Sequence, residues 1–459
     1  MNVFCVVAAI ALLQGIAGFG VVTLFNITLV PRLFLPLCFL MGVAVFSLVP
    51  LCMQLLFVPF TFLNTALALL LACLAVNVKL KAGINHAKNV FKGSRFSIRL
   101  YELPFLLVIA AIVLISVWRC FYLPPTPRDI TSGTEVMAEY AVKERTMINS
   151  IFTVDLQRNN NHYKSSFVTG LQIIYKLAGL PFGQVWLSVI FISFTVFLYH
   201  ALCATLHRIF AGLLIIAFLA VPELYGYTFM VLFDYSNAVF FFLSFYFLAM
   251  YFEDRQTKHL VFAGVLMGVA TYIRSETLLL ALLTTPAILR STIRNGKNLV
   301  AGAKAILLFL LPSGFIYVFF MNVFINHYMP AQYHVGALVR QHLYDVRPLL
   351  NIFWQVNSQR IFSDDGVGLY GWFIFLFCAL FLAELLFTRK FTRSARNFLF
   401  GVLVIYIGLP IIGFILPIFD VENTTKRGLF KIFPLMLLYM ANSSLLTGIS
   451  RRLTDWEIN

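Results

Sequence analysis

The chain has 459 residues and a formal net charge of +15, and only 12% of its residues are charged whereas 61% are hydrophobic. A soluble domain carries about 25% charged and about 45–50% apolar residues, so this chain has too little polar material to cover a water-exposed surface. With a mean hydropathy of +0.89, the composition excludes a soluble globular enzyme and a disordered or fibrous chain. It predicts an all-α, polytopic transmembrane helical bundle, because helices satisfy their own backbone polar groups.

Apolar runs that are long enough to form membrane-spanning helices recur along the whole chain. A helix needs about twenty apolar residues to cross the hydrocarbon core, and about thirteen runs are candidates. They are residues 3–25, 34–57, 59–78, 101–118, 184–204, 209–228, 234–252, 259–273, 277–289, 305–324, 370–387, 398–418 and 429–447. The first run lacks the basic start and the cleavage site of a signal peptide, so we expect it to be retained.

Basic loops predict the orientation of these helices. Segment 79–99 has six basic residues and no acid, and segments 289–304 and 388–396 have four basic residues each and no acid. Because cytoplasmic loops are rich in lysine and arginine, the positive charge indicates cytoplasmic loops, with the N-terminus outside and the C-terminus in the cytoplasm. Three loops of mixed charge then lie outside, at about 119–183, 325–369 and 419–428.

The first outer loop is predicted to contain helices of its own. The three prolines of LPPTPRD exclude a helix at 123–129. Ser132 and Glu135 have the spacing of a capping box, which predicts an amphipathic helix at about 133–151. A second amphipathic helix is expected at 165–179, and we expect both helices to lie on the membrane surface.

The chain divides into two parts by composition. The three spans within residues 1–100 carry almost no polar residues, and their long basic loop is expected in the cytoplasm. We expect this part to be an accessory N-terminal bundle. Residues 101–459 then form the main module, and they include all three of the long outer loops.

Asp129 is the first candidate catalytic residue. It follows the fourth predicted span and lies just before a predicted helix at the outer interface. A carboxylate at this level suits a general base that acts on a hydroxyl at the membrane surface. The positive end of the helix dipole would keep the carboxylate ionised.

Three basic residues elsewhere, Arg274, Arg427 and Lys431, are candidates for contacts with a lipid phosphate, and Glu276 lies beside the first of them. Arg274 and Glu276 interrupt two apolar runs, and a charge at the bilayer centre costs about 2.5 kcal/mol or more. Their turn is therefore expected at the outer interface or in a polar cavity, where an arginine fork binds phosphate. Arg427 and Lys431 form a basic cluster at the outer entrance to the last span, which indicates a lipid-phosphate partner.

Further polar residues at the outer level are candidate substrate contacts. With Glu276 from the previous group, they are Arg128, Glu135, His162, Tyr225, Asp234, His334 and Arg340. Their spacing has no metal-site pattern, and the seven cysteines have no regular spacing, so we expect no metal and no cofactor. The sequence has no P-loop, dinucleotide motif or nucleophile elbow.

Five segments occur in a recognisable order. PPTPRDITSGTE follows an apolar helix, and HYKSSFVTGLQIIYKLAGLPFGQVWLSVIFISF and VPELYGYTFMVLFDYSNAVFFFLSFYFLAMYF come next. LVFAGVLMGVATYIRSETLLLALL then forms a helix pair, and KRGLFKIFPLMLLY begins the last span. In their order, loop sizes and sidedness, these segments resemble the C-type (GT-C) membrane glycosyltransferases. Those enzymes take sugars from polyprenyl-phosphate donors. The resemblance covers about three-quarters of the chain, from Tyr101 onward.

The resemblance implies a reaction and a set of site residues. Asp129 matches the family's catalytic aspartate, which acts as general base on the acceptor hydroxyl. Arg274 and Arg427 match basic positions that hold the donor phosphate. His162 loosely matches a His-Pro position, although Tyr163 follows it here. Many members have paired acids at the catalytic position, and the absence of a second acid beside Asp129 favours a metal-independent, inverting branch of the family.

The implied partners are a polyprenyl-phosphate sugar donor, a lipid- or protein-linked glycan acceptor and membrane lipids, with no nucleic acid. The expected location is a bacterial inner membrane, with the active site facing the periplasm. Two other functions stay open at this point. One is a lipid-linked glycan polymerase or ligase that uses the loop at 325–369, and the other is a non-enzymatic transporter or flippase of an amphiphile.

Overall fold

The computed structural model describes residues 3–92, 98–126, 133–153, 165–294, 298–328, 339–340, 343–417 and 425–458, and within these ranges it contains helices and no strand. The α-helices of seven residues or more in these ranges are α1 (Val3–Leu24), α2 (Pro31–Leu55), α3 (Phe62–Val76), α4 (Leu80–Phe91), α5 (Leu103–Tyr122), α6 (Thr134–Glu144), α7 (Phe167–Leu177), α8 (Val185–Cys203), α9 (Arg208–Leu219), α10 (Phe233–Asp254), α11 (Thr257–Ile273), α12 (Thr277–Ile293), α13 (Leu299–Val318), α14 (Arg347–Gln355), α15 (Asp364–Tyr370), α16 (Phe373–Ala383), α17 (Arg393–Ile415), α18 (Ile432–Ala441) and α19 (Ser444–Ile458).

Seven helices in the described part are long and apolar enough to cross a membrane, and the number rises to nine if each of two bent pairs is one span. The seven include α1, α2, α5, α8, α10, α13 and α17, and the bent pairs are α3 with α4 and the segment containing α18 with α19. The polytopic helical prediction is confirmed, whereas the number of spans is lower than the thirteen predicted. Four predicted spans form shorter helices. The 12 residues of α9 extend about 18 Å, less than the hydrocarbon core of about 30 Å.

Helices α2 and α10 form the centre of the bundle, and α5 and α13 lie at its periphery. Most of α2 and α10 is buried, whereas less than a quarter of α5 and of α13 is buried. Apolar residues surround α10 on every side, as expected for an enclosed helix. Phe242 packs edge-to-face against Phe194 of α8, with ring centroids 5.3 Å apart. The first turn of α10 is thereby buried inside the protein, whereas Glu253 and Asp254 in its last turn are exposed.

Helices α1 and α2 approach closely through two glycines. A Cβ atom on Gly18 would lie 1.6 Å from the carbonyl oxygen of Cys38, and one on Gly42 would lie 1.8 Å from that of Gln14. Small residues allow helix backbones to meet in this way. Helix α2 also packs against α7 and α8, so residues 1–100 contact the rest of the chain. The division into accessory and main modules stays a prediction.

The first loop that is predicted to lie outside contains the two predicted helices, with two corrections. Helix α6 ends at Glu144 rather than near residue 151, because Arg145 adopts a left-handed conformation with φ of 60°. Helix α7 ends just before Gly179 as predicted, and Gly179 has a φ of 89°. All residues from Phe167 to Tyr175 are buried, so α7 lies within the bundle instead of on the membrane surface. Its polar residues Gln172 and Lys176 contact Glu135 of α6, so the polar side of the helix is covered by protein as well.

Candidate functional site

A buried cluster of charges lies where α10 begins, α11 ends and α12 begins. Arg274 caps the C-terminus of α11 with extended backbone, and its Nη1 donates to Asp234 in the first turn of α10. Its Nε lies 2.5 Å from an oxygen of Glu276, the residue that precedes α12. Asp234 and Glu276 are only 3% and 7% exposed. The structure therefore brings three predicted site residues into one ion-paired group.

Hydrogen bonds to backbone and side-chain atoms hold the three helix ends together. Asn237 lies three residues after Asp234 on α10. Its side-chain amide donates to the carbonyl oxygen of Ala270 at 2.7 Å and to the hydroxyl of Thr277 at 3.0 Å. This amide links α10 to both α11 and α12. The breaks in the helices therefore have fixed partners, and the charged side chains are positioned by rigid elements.

Helices α6 and α7 contact the same end of the bundle. The hydroxyl of Thr134 donates to the carbonyl oxygen of Val231 at 3.0 Å, close in sequence to Asp234. The hydroxyls of Ser166 and Tyr272 are 2.6 Å apart. Ser166 directly precedes α7, and Tyr272 precedes Arg274 by two residues. Helices α6 and α7 therefore begin beside the charged cluster.

Lys431 adds a fourth buried charge to this group. It is 1% exposed, and the charges of Glu276, Arg274 and Asp234 act on its ammonium. Two carboxylates and two basic groups thus balance one another. Among the residues that the structure describes, none accepts a hydrogen bond from the Lys431 ammonium or forms an ion pair with it. The carboxylates that balance its charge therefore do not engage its N–H donors.

Arg427 lies four residues before Lys431, on the adjacent turn. It is half-buried, and it also has no ion pair with a described residue. Two basic side chains whose donors no described residue engages therefore lie one turn apart at the start of the last predicted span. This arrangement suits an anion that approaches from the end of the bundle.

An apolar cavity begins beside these two cations. It has a volume of about 240 Å³, and the side chains of Leu429 and Ile432, the neighbours of Lys431, line it together with Phe433 and Met436. Helices α16 and α17 form its other walls. Cations that are close in sequence to the walls of an apolar cavity suit an amphiphile, with an anionic head and a hydrocarbon tail.

Tyr227 is a residue of this site that the sequence analysis missed. Its ring packs edge-to-face on Phe430, with centroids 4.6 Å apart. Burial raises the pKa of the Tyr227 hydroxyl, and the charges of Asp234, Arg427 and Arg274 also act on it. Nothing in the surrounding YGYTF sequence distinguishes this tyrosine from the others, because only the fold brings it beside the charges.

Glu135 has a different environment from the one expected of a helix cap. Its carboxylate lies 2.6 Å from Nζ of Lys176, and both side chains are only 7% exposed. Gln172 also donates to it. Burial raises the pKa of the Glu135 carboxyl, and the Lys176 ammonium acts in the opposite direction. Glu135 therefore joins α6 to α7, while Ser132, the other half of the predicted capping box, lies outside the described residues.

Tyr225 and Arg340 bind backbone atoms rather than the charged cluster. The hydroxyl of Tyr225 donates to the carbonyl oxygen of Ile112 at 3.0 Å. Nε of Arg340 donates to the carbonyl oxygen of Phe414 at 2.8 Å, and its guanidinium lies 5.1 Å from that ring's centroid. Arg340 thus fastens its segment to the end of α17.

Four predicted site residues lie outside the described residues: Arg128, Asp129, His162 and His334. Their roles stay predictions. In the described ranges no three His, Cys, Asp or Glu side chains form a group that could hold a metal ion.

The chain matches no protein-family model, no curated protein and no solved structure. The glycosyltransferase resemblance therefore rests on the sequence segments that carry it. The geometry identifies the chain as a polytopic helical membrane protein with seven to nine candidate spans.

Proposed function

We propose that this protein is an integral membrane glycosyltransferase that moves a sugar from a polyprenyl-phosphate donor to an acceptor hydroxyl. The observation that carries the proposal is the buried ammonium of Lys431, which has no hydrogen-bond or ion-pair partner among the described residues and lies next in sequence to the walls of an apolar cavity. The cavity suits part of a prenyl chain, and Lys431 and Arg427 suit its phosphate. The sugar and the reaction come from the resemblance to the C-type glycosyltransferases.

The proposed reaction is a single displacement at the anomeric carbon. The acceptor oxygen forms a bond to that carbon while the bond from the carbon to the phosphate oxygen breaks, so the configuration inverts. Negative charge develops on the leaving phosphate. Lys431 and Arg427 would stabilise this charge more strongly than water does, because their donors are already positioned in a site of low dielectric constant.

Arg274 takes a different part in the proposal from the one that the resemblance implies. Its guanidinium already pairs with Asp234 and Glu276, so we propose that it positions the helix ends and that Lys431 and Arg427 provide the charge for the phosphate. A fully paired arginine has fewer donors left for a ligand.

Asp129 is proposed to accept the proton of the acceptor hydroxyl. It lies five positions before Thr134, whose side chain binds Val231 near the charged cluster. An extended chain spans at most about 3.6 Å per residue, so connectivity limits the distance from Asp129 to Thr134 to about 18 Å. The proposal places this chemistry on the periplasmic face of a bacterial inner membrane, without a metal.

The test is sugar transfer by membranes that contain each variant, with a panel of radiolabelled polyprenyl-phosphate sugars. Asp129→Asn should lower transfer by about a hundredfold or more, because a general base contributes about 10²–10⁴-fold. Arg427→Gln should raise the KM for the donor. The control is Arg452→Gln, which removes an exposed charge from α19 and should transfer normally.

Three outcomes would contradict the proposal or part of it. Transfer that survives in Asp129→Asn would remove the general-base role. Loss of activity in Arg340→Ala with normal activity in Asp129→Asn would favour the polymerase or ligase. No transfer from any donor would leave transport of an amphiphile as the function to pursue.

A further inference from the structure

A second basic site lies at the other end of α10. A pocket of about 550 Å³ opens between the end of α10, the second half of α12 and the start of α17. Five arginines line this arginine pocket: Arg255, Arg290, Arg294, Arg393 and Arg396. Arg255 directly follows α10 and has a left-handed backbone with φ of 62°. The pocket is therefore built from three helix ends that meet on one side of the protein.

No carboxylate of a described residue neutralises these arginines. Among the described residues, no acidic group lies within 4.0 Å of any of the five guanidinium groups. The two nearest acids in sequence have other partners, since Glu253 accepts from the hydroxyl of Ser394 and Asp254 accepts from the backbone N–H of Gln256 at 2.9 Å. Burial and the charges of Arg393 and Arg294 lower the pKa of Arg255. The arginines repel one another, and an anion between them would relieve this repulsion.

Two buried donors in the pocket also have no partner. Nη1 of Arg255 and Nδ2 of Asn397 are buried, and neither forms a hydrogen bond with a described residue. Buried donors are normally hydrogen-bonded, so these two atoms point to a ligand that supplies oxygen atoms. Arg393 is partly engaged, because its Nη2 donates to the carbonyl oxygen of Phe252.

The position of the pocket fits a ligand at the membrane surface. Helix α10 has 22 residues and is therefore about 33 Å long, close to the thickness of the hydrocarbon core. Asp234 lies at its first turn and Arg255 just past its end. The arginine pocket and the charged cluster around Arg274 thus lie at opposite membrane surfaces. Phe252, Ala287 and Phe400 give the pocket apolar walls.

We propose that the arginine pocket binds the phosphate groups of an anionic phospholipid from the leaflet opposite to the charged cluster. Arginine forks bind phosphate oxygens in pairs, and basic pockets between membrane helices are suited to phosphate-bearing headgroups. The apolar walls favour a lipid over a soluble phosphate compound. This inference is independent of the chemistry proposed at the other end of the bundle.

The test measures ligand binding by the full-length protein, purified in a neutral detergent. Thermal unfolding and native mass spectrometry are recorded with phosphatidylcholine, phosphatidylglycerol, cardiolipin or inorganic pyrophosphate added. The pocket variant is Arg290→Gln with Arg294→Gln, two exposed arginines on α12 and its cap. The matched control is Arg451→Gln with Arg452→Gln, which removes two exposed arginines that do not line the pocket.

Wild type and control should gain thermal stability with cardiolipin or phosphatidylglycerol and retain the lipid in the mass spectrometer, whereas phosphatidylcholine has little effect. The pocket variant should bind the anionic lipid at least tenfold more weakly while its unfolding temperature without lipid stays close to that of wild type. Equal loss of binding in pocket variant and control would overturn the site. Protection by pyrophosphate equal to that by the lipids would overturn the lipid as the ligand and assign the pocket to a soluble phosphate compound.

Discussion

Nε of Arg274 and a carboxylate oxygen of Glu276 lie 2.5 Å apart, although the two residues belong to the ends of different helices. The same guanidinium reaches Asp234 at the start of α10. One side chain therefore connects three helix ends. The backbone is not helical at this place, so the connection depends on the side chain. The predictions below follow from this connection and from three others.

Removing Arg274 should destabilise the protein more than removing either carboxylate. Arg274→Gln leaves Asp234 and Glu276 buried without their partner, and loss of one member of a buried pair costs about 3–5 kcal/mol. Glu276→Gln leaves Asp234 to pair with the arginine. Because the residues touch, the double variant Arg274→Gln with Glu276→Gln should be more stable than the sum of the single changes predicts. Thermal unfolding in detergent measures all three, and strictly additive effects would contradict a shared ion-pair group.

Lys431 should have separable effects on stability and on function. Lys431→Met leaves the cluster with a surplus negative charge and should lower the unfolding temperature. Adding Glu276→Gln restores the balance of charge, so the double variant should regain thermal stability. It should not regain donor binding if the ammonium contacts the phosphate. Recovery of both properties together would show that Lys431 acts only on the fold.

The close contact between α1 and α2 predicts strong sensitivity at Gly42. Gly42→Ala places a methyl group 1.8 Å from the carbonyl oxygen of Gln14, so the two helices must separate. Gly314→Ala is the matched control, because a Cβ atom there has nothing within 4 Å and alanine favours a helix by about 1 kcal/mol. Gly42→Ala should lower the yield of folded protein and its unfolding temperature, and Gly314→Ala should leave both unchanged or raise them. Equal behaviour of the two variants would contradict the contact.

The ion pairs of Glu139 with Lys176 and Lys143 should make a small contribution to the free energy of unfolding, and this contribution should depend on pH. Burial acts to raise the pKa of the Glu139 carboxyl, but the two lysines act more strongly and lower it overall. A lowered folded-state pKa stabilises the protein above the unfolded pKa, and this stabilisation is lost as the pH falls through the folded value. The carboxylate is partly exposed, so the effect should stay below about 1 kcal/mol.

The free energy of unfolding of Glu139→Gln and of wild type, measured from neutral to acidic pH, tests this prediction. The variant should be slightly less stable at neutral pH, and the two proteins should converge in acid. High salt should also reduce the difference. A difference that persists unchanged in acid would exclude the charge as its cause.

Apolar runs predicted most helices, but they did not predict where each helix is interrupted. The run at 234–252 became α10 almost unchanged, because every side of this helix is covered by protein. The run at 209–228 continues through Val221 and Pro222, which are apolar and yet incompatible with a continuous helix. Helix α9 therefore ends at Leu219. Hydropathy measures the free energy of transferring a side chain out of water, and it contains no information on where the backbone interrupts a helix.

The candidate site was predictable only in part for a related reason. Arg274 and Glu276 were visible because charges in an apolar stretch are costly, and the level of Asp234 followed from its place at a helix end. The pairing of Glu135 with Lys176 was not visible, since it depends on how α6 and α7 meet. The sequence also could not show that no described residue pairs with Lys431, because this depends on how the fold surrounds the side chain.

Helix α10 carries polar groups that bind other helices at its first turn and a half-buried arginine just past its end. Such a helix has little freedom to slide along the membrane normal, so its apolar length corresponds to one preferred bilayer thickness. A thinner or thicker bilayer requires tilt or local deformation of the lipid, which costs free energy. Because all three helices of the charged cluster are joined at that end, strain from a mismatched bilayer would be transmitted to the site itself. Acyl-chain length is therefore a physical variable that acts on this protein through its central helix.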